Sequence, residues 1–238
     1  MLDILGKSKE PKLIQKHIRK FFEGIQTLVI KNKETEDGLV TTGGISHDGE
    51  ILPFVKLISL KGRVEHWMES ILIGMRNGLQ CALHDCIYDK KGNKQKDEWV
   101  KKWQGQVTIT AGCIAFTKNC SNILESIKKG TENRSLRTIK KKLNRYIHCL
   151  SNLVCDSQMG KINHSKTVAL ITLEIYHRDV LEKLIKCKCK SVQDFAWLSQ
   201  LRFGFNNTGK CFVKQMNFTI AYNYEYQGNN GRLVGKST

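Results

Sequence analysis

The chain has 238 residues, 40% of them hydrophobic, and a mean hydropathy of −0.36, enough to bury a real core in one large or two small domains. Its 39 Lys+Arg against 22 Asp+Glu leave a formal net charge of +17, which favours anionic partners such as nucleic acid, an acidic protein surface or a membrane face. No apolar run approaches the roughly 20 residues of a membrane span, and the opening MLDILGKSKEPK lacks the long apolar core of a secretory signal, so neither is expected.

In chain order, the first predicted element is a helix over residues 10–24. Pro11 suits its first turn, Leu13, Ile14, Ile18, Phe21 and Phe22 form its apolar stripe, and Gly24 marks its end. Three extended pieces come next, Thr27–Ile30, Leu39–Thr42 and Glu50–Leu57. Asp37-Gly38, Gly43-Gly44 and Asp48-Gly49 are turn dipeptides between them, which predicts a small antiparallel hairpin or three-stranded ribbon over 27–58. From Val64 the period becomes helical. Trp67, Ile71, Met75, Leu79 and Leu83 step by four in a helix over 62–88, and Lys90 to Lys96 is a polar loop.

A second long helix is expected over 98–127, with Thr108, Ile109 and Thr110 lowering its propensity locally. A third covers 131–156, where Leu136, Ile139, Leu143, Tyr146, Leu150 and Leu153 follow the spacing of a bundle seam. A fourth covers 164–187, with Val168, Ile171, Ile175 and Leu184 on its buried side. The fold class is therefore mainly α: an antiparallel helical bundle with a small N-terminal β-hairpin and C-terminal strands.

The last forty-odd residues join two periods. Val192, Phe195, Leu198 and Leu201 recur at three-residue steps, with Trp197 and Phe203 beside them, in a helix over 192–203. After the turn Asn206-Asn207-Thr208-Gly209, Phe218, Ile220, Tyr222, Tyr224 and Tyr226 alternate with smaller or polar partners, as a strand with one aromatic face would. Gly228 to Gly231 breaks that strand and Arg232-Leu233-Val234 resumes it. This shift places a domain boundary near residue 206, between 1–206 and 207–238.

Little of the sequence points to catalysis or metal. Nine scattered cysteines read as reduced cytosolic thiols. Cys81 and Cys86, with His84 between them, diverge by roughly 140° on a helix. Neither they nor Cys187 and Cys189 have a second pair at zinc-site spacing. Gly235-Lys236-Ser237 lacks the Gly that a phosphate loop needs at position 230, which is Asn. His177 and Asp179 stand two apart and do not face each other on a helix. We therefore expect no catalytic residue, no metal and no cofactor in this chain. The lysine clusters Lys140-Lys141-Lys142 and Lys186, Lys188, Lys190 lack interleaved aromatics, so they read as solvated faces and nucleic acid is not the expected partner.

The short helix, the Tyr-ladder, the Gly/Asn turn and Arg232-Leu233-Val234 resemble the place in the dynein heavy chains, of axonemal type, where the mechanical linker ends and the first AAA+ ATPase module begins. The likeness extends along nearly the whole chain. It includes Leu2, Leu5, Pro11, Gln15, His17 and Phe21; Gly49-Glu50 and Pro53-Phe54-Val55; Val64-Glu65 with Trp67; Glu98-Trp99, Trp103 and Gly105-Gln106-Val107; His177 with Asp179-Val180; and Asp194 with Trp197 and Gln200-Leu201-Arg202.

The resemblance implies an arm lying across a ring of six AAA+ modules, bending as the first module hydrolyses ATP with magnesium and so producing force along microtubules. It implies Leu233 and Val234 as residues bordering adenine, and Trp67, Trp103, Phe195, Trp197 and Leu201 as structural anchors. The implied partners are the ring of the same heavy chain and, through the complete motor, intermediate and light chains and microtubules, in the cytoplasm, cytoskeleton and ciliary axoneme. Gln104 stands where the family usually has Pro. After Val234 the family continues into further strands and its phosphate loop, so the chain is expected to be a fragment, a truncated isoform or an incomplete gene model. The strand over 216–234 is then expected to lack the sheet it joins. The competing class is an independent basic helical adaptor for acidic protein surfaces, or an RNA-binding module. The net charge supports both, but neither accounts for the ordered motifs.

Overall fold

Helix takes up more than half of the described residues, and the strands form two small antiparallel sheets, so the fold is mainly α with minor β elements. The computed structural model describes residues 11–32, 38–89, 96–130 and 135–228. Two compact units divide the chain, one of residues 1–82 and 224–238, the other of 83–223. Residue 206 lies inside the second unit. That residue opens a turn in which its own side-chain oxygen accepts the backbone N–H of Thr208 (3.1 Å) and Lys210 (2.8 Å).

In the first unit, the expected helix over 10–24 is three short pieces: α1 (Pro11–Ile14), a 3-10 turn (Gln15–His17) and α2 (Ile18–Phe21). Ile14 and Ile18 are buried, whereas Phe21 is exposed. The Gln15 amide accepts the Leu28 N–H at 2.8 Å and donates to the Leu28 carbonyl at 2.9 Å, acting as a partner for the edge of the next strand. That strand, β1 (Thr27–Asn32), pairs with β2 (Leu39–Ile45), which pairs with β3 (Ile51–Ser59), giving the order β1-β2-β3. Gly43 and Gly44 lie inside β2 and do not form the expected turn. The register with β3 shifts between Thr41 and Gly43, a bulge.

Helix α3 (Val64–Tyr88) comes next, and Trp67, Ile71, Met75, Leu79 and Leu83 are all buried, matching the four-residue step of the sequence. Within the first unit it lies tightly on β3. A Cβ at Gly78 would stand 2.6 Å from the Pro53 carbonyl oxygen, so only glycine allows that approach.

The second unit holds α4 (Lys96–Lys102), α5 (Gly105–Lys129), α6 (Leu136–Val154), α7 (Lys161–Lys186) and α8 (Phe195–Leu198). The late residues of α5 (Cys120, Ile123, Leu124), the early ones of α6 (Leu136, Leu143) and the late ones of α7 (Val180, Leu181, Leu184) share one core cluster with Trp197. Consecutive helices therefore run antiparallel.

The single helix expected over 98–127 is broken between α4 and α5. Gln104 has φ −61° and ψ 148°, an extended conformation that a helix interior excludes. The Lys166 ammonium ends α4 by donating to the carbonyls of Trp103 (2.9 Å) and Lys101 (3.3 Å). The buried side of α7 also differs from expectation. Val168 is exposed, and the hidden face runs through Lys166, Leu170, Glu174, His177, Leu181 and Leu184. Periodicity of apolar residues alone could not find a face on which three members are ionisable.

The helix expected over 192–203 is cut to the four residues of α8 because its carbonyls are taken elsewhere. The Leu198 carbonyl accepts the Met216 N–H at 2.8 Å, the Ser199 carbonyl accepts the Gln215 amide at 3.1 Å, and Phe203 N–H donates to Thr117 Oγ1 at 3.1 Å. Strand β4 (Arg202–Phe205) begins at once and joins β5 (Cys211–Gln215) and β6 (Phe218–Ala221) in the order β4-β5-β6. The C-terminal strand thus finds its partners within this chain, contrary to expectation. It is also short. Phe218 and Ile220 are 76% and 68% exposed, while Tyr224 turns left-handed at φ 54° and is buried with Tyr226, so no single aromatic face forms.

Trp197 is 1% exposed and sits in the same cluster as Leu124, Leu181 and Leu184, so Trp197→Ala is expected to cost about 3–5 kcal/mol in urea denaturation. Phe195→Ala, at a side chain 71% exposed, should stay within about 0.5 kcal/mol of the parent. Equal effects from the two would refute this core. Gly78→Ala should also destabilise despite alanine's better helix propensity, because its methyl meets the Pro53 carbonyl. A gain in melting temperature would show that α3 can lift off β3 freely.

Candidate functional site

Leu233, Val234 and Gly235-Lys236-Ser237 lie outside the described residues, as does the lysine run 90–95. The five expected anchors separate. Trp67 is 2% exposed in the first turn of α3, and Trp197 is buried in the helical core. Trp103 is half-buried at the α4–α5 break, where its ring N–H donates to Asp89 Oδ2 at 3.3 Å and the Lys102 ammonium stands 4.6 Å from the ring centroid. Phe195 and Leu201, by contrast, are 71% and 54% exposed. With α8 only four residues long, the three-residue step no longer gathers them with Trp197 on one face.

The polar groups of the second unit converge on α7. His177 Nδ1 lies 3.1 Å from Glu174 Oε2, and both side chains are buried. The Phe116 ring of α5 stacks flat on the imidazole, with centroids 4.0 Å apart and planes 4° from parallel. The partner of His177 is the residue three before it. Asp179 instead accepts from the Arg178 guanidinium at 3.0 and 3.2 Å. The spacing of Glu174 and His177 on one helical face was readable in the sequence but hidden among apolar neighbours. An acid beside a base could move a proton, yet both side chains are shut from solvent and both stand on α7, so the contact satisfies two buried polar groups within one helix.

Four of the cysteines are equally inert. Burial, with a smaller contribution from the nearby Glu174 carboxylate, pushes the Cys113 thiol up to about 12, and burial pushes Cys120 to about 12 as well. Cys189 and Cys211 rise to about 11, chiefly through burial. Thiols held protonated at neutral pH are poor nucleophiles and poor ligands. Among the described residues no group of His, Cys, Asp and Glu could hold a metal ion.

The tyrosine run is tied down residue by residue. Tyr222 belongs to the second unit, where its hydroxyl accepts the Gln106 amide at 2.7 Å and lies 3.4 Å from Thr110 Oγ1, both on α5. Tyr224 and Tyr226 belong to the first unit. Tyr226 donates to Glu50 Oε2 at 2.7 Å in a buried bond, and burial followed by the Glu50 charge raises the phenol well above its ordinary range. The Tyr226 backbone runs over Gly24, where a Cβ would stand 2.1 Å from the tyrosine carbonyl oxygen. Gly24 is therefore the seat of the C-terminal segment.

The family description "Dynein heavy chain, N-terminal region 2" matches residues 1–86. Similarity to individual proteins extends much further. The chain is 41% identical over 236 residues to a "Dynein-1-beta heavy chain, flagellar inner arm I1 complex" of Chlamydomonas reinhardtii. It is 38% identical over 241 residues to "Dynein axonemal heavy chain 2" of Homo sapiens, and 30% over 239 residues to "Dynein beta chain, flagellar outer arm" of Chlamydomonas reinhardtii. Each match covers 98% of this chain and 5% of the relative. The chain belongs to the dynein heavy chain family.

Proposed function

We propose that this chain is the C-terminal part of the mechanical linker of an axonemal dynein heavy chain, running at residues 207–238 into the first AAA+ module. In this reading it transmits force and does no chemistry itself. ATP and magnesium are handled by the ring of the same heavy chain. Microtubules and the intermediate and light chains are met through the complete motor, in the cytoskeleton of the cilium. Leu233 and Val234 border adenine there. The observation that carries the reading is similarity over 98% of the chain to flagellar and axonemal heavy chains. The buried bonds add a physical argument. A force-bearing arm must hold its elements in register, and Lys166, Tyr222 and Tyr226 each fix a backbone or side-chain contact between segments far apart in sequence.

The test belongs in a full-length axonemal heavy chain carrying this segment. Tyr226→Phe removes the bond to Glu50, and Gly24→Ala wedges a methyl under the Tyr226 carbonyl. Both are expected to slow microtubule gliding more than they lower ATP turnover, because the ring keeps its chemistry while its lever loosens. If turnover and gliding fall in proportion, or neither changes, the segment does not transmit force. The isolated chain should show no ATP turnover, and hydrolysis abolished by Lys236→Ala would overturn its non-catalytic role.

A further inference from the structure

Helix α6 carries Arg137, Lys140, Lys141, Lys142 and Arg145 and no acidic residue. Arg137, Lys141 and Arg145 are spaced four apart, so they form one row on one face, and all three are exposed. Like charges at that spacing destabilise a helix. Among the described residues no carboxylate lies within ion-pair distance of any of the three, nor of Lys142. The helix therefore carries an uncompensated repulsion on a surface that a single glutamate would relieve.

Beside this row runs a groove of about 430 Å³ between α6 and α7, lined by Lys140, Asn144, His148, Arg178 and Glu182, with Ile147 at its floor. Angular position on α6 puts Lys140, Asn144 and Ser151 on the side facing α7 and the Arg137–Lys141–Arg145 row along the other rim. The groove's own charges are already balanced. Lys140 Nζ meets Glu182 Oε1 at 2.7 Å and Arg178 meets Asp179 at 3.0 Å, whereas those on the rim are not.

We propose that the outer face of α6, with its groove toward α7, docks an acidic segment of a second polypeptide. Acid side chains would pair with Arg137, Lys141 and Arg145, and neutral or basic ones would meet Glu182 in the groove. A nucleic acid fits less well. Its uniformly anionic backbone would face the Glu182 carboxylate that lines the groove.

The experiment measures fluorescence anisotropy of a labelled polyglutamate peptide with the full chain at low salt, beside a polyglutamine peptide and a single-stranded oligonucleotide of equal charge. The triple variant Arg137→Glu, Lys141→Glu, Arg145→Glu is compared with a control, Arg19→Glu, Lys20→Glu, Lys56→Glu, which changes net charge equally at exposed sites elsewhere. The first should weaken polyglutamate binding by about tenfold or more and the control by about twofold or less. Lys141→Glu alone places an acid between two arginines four residues away on either side, so it should weaken binding while leaving the melting temperature unchanged or higher. That combination separates loss of a docking face from loss of fold. Equal weakening by the two triple variants, tighter binding of the oligonucleotide than of the peptide, or no peptide binding at all would each overturn the proposal.

Discussion

The helical unit depends on how α7 satisfies the ionisable groups it buries. Lys166, Glu174 and His177 are 4%, 6% and 3% exposed, on the face that also carries Leu170, Leu181 and Leu184. Burying an unpaired charge is prohibitive, and breaking a buried pair by removing one partner costs about 3–5 kcal/mol. Each group therefore dictates where a neighbouring element stops or lies. Lys166 needs carbonyls and takes them from the end of α4, so the chain must break before α5. His177 needs Glu174 and a flat apolar cover, so Phe116 fixes the rotation of α5 against α7. A purely apolar face would tolerate slippage between helices, whereas these contacts allow one register.

The same logic governs the C-terminal segment, which the sequence suggested was a strand awaiting a sheet. Strand β5 supplies the sheet, and the carbonyls of Leu198 and Ser199 are consumed in building it. Beyond β6 each tyrosine has a different task within its own unit. Tyr222 bonds to α5, and Tyr226 lies over Gly24 with its hydroxyl on Glu50. Tyr224 adopts a left-handed backbone conformation. Such a conformation is uncommon for a residue with a Cβ and persists only where its surroundings over-determine it.

How legible each of these features was depends on the physics of its signal. The four-residue step of Trp67, Ile71, Met75, Leu79 and Leu83 lies on an amphipathic helix, where burial tracks hydrophobicity, and all five are buried. The turn at Asn206 to Gly209 was readable because Asn caps its own backbone. The lengths of α8 and β6 were not, since both are set by hydrogen bonds to residues far along the chain. Gly43 and Gly44 misled because close approach at a bulge and a turn call for the same residue. Glu174 and His177 were missed because apolar periodicity ignores polar residues that hide by pairing.

The α4–α5 break shows how one structural requirement can be met by different chemistry. The resemblance places Pro where Gln104 stands, and proline would fix φ near −65° and bar the preceding residue from helix. Gln104 keeps φ at −61° without the ring. In this chain the joint is held at Trp103, whose carbonyl accepts from the Lys166 ammonium and whose indole donates to Asp89. A ring acts locally and survives any change in packing, whereas this arrangement holds only while α7 is docked. The start of α5 in this chain is thus coupled to the packing of α7, so a disturbance that lifts α7 also frees the joint. A proline-bearing relative would resist that disturbance by covalent geometry alone.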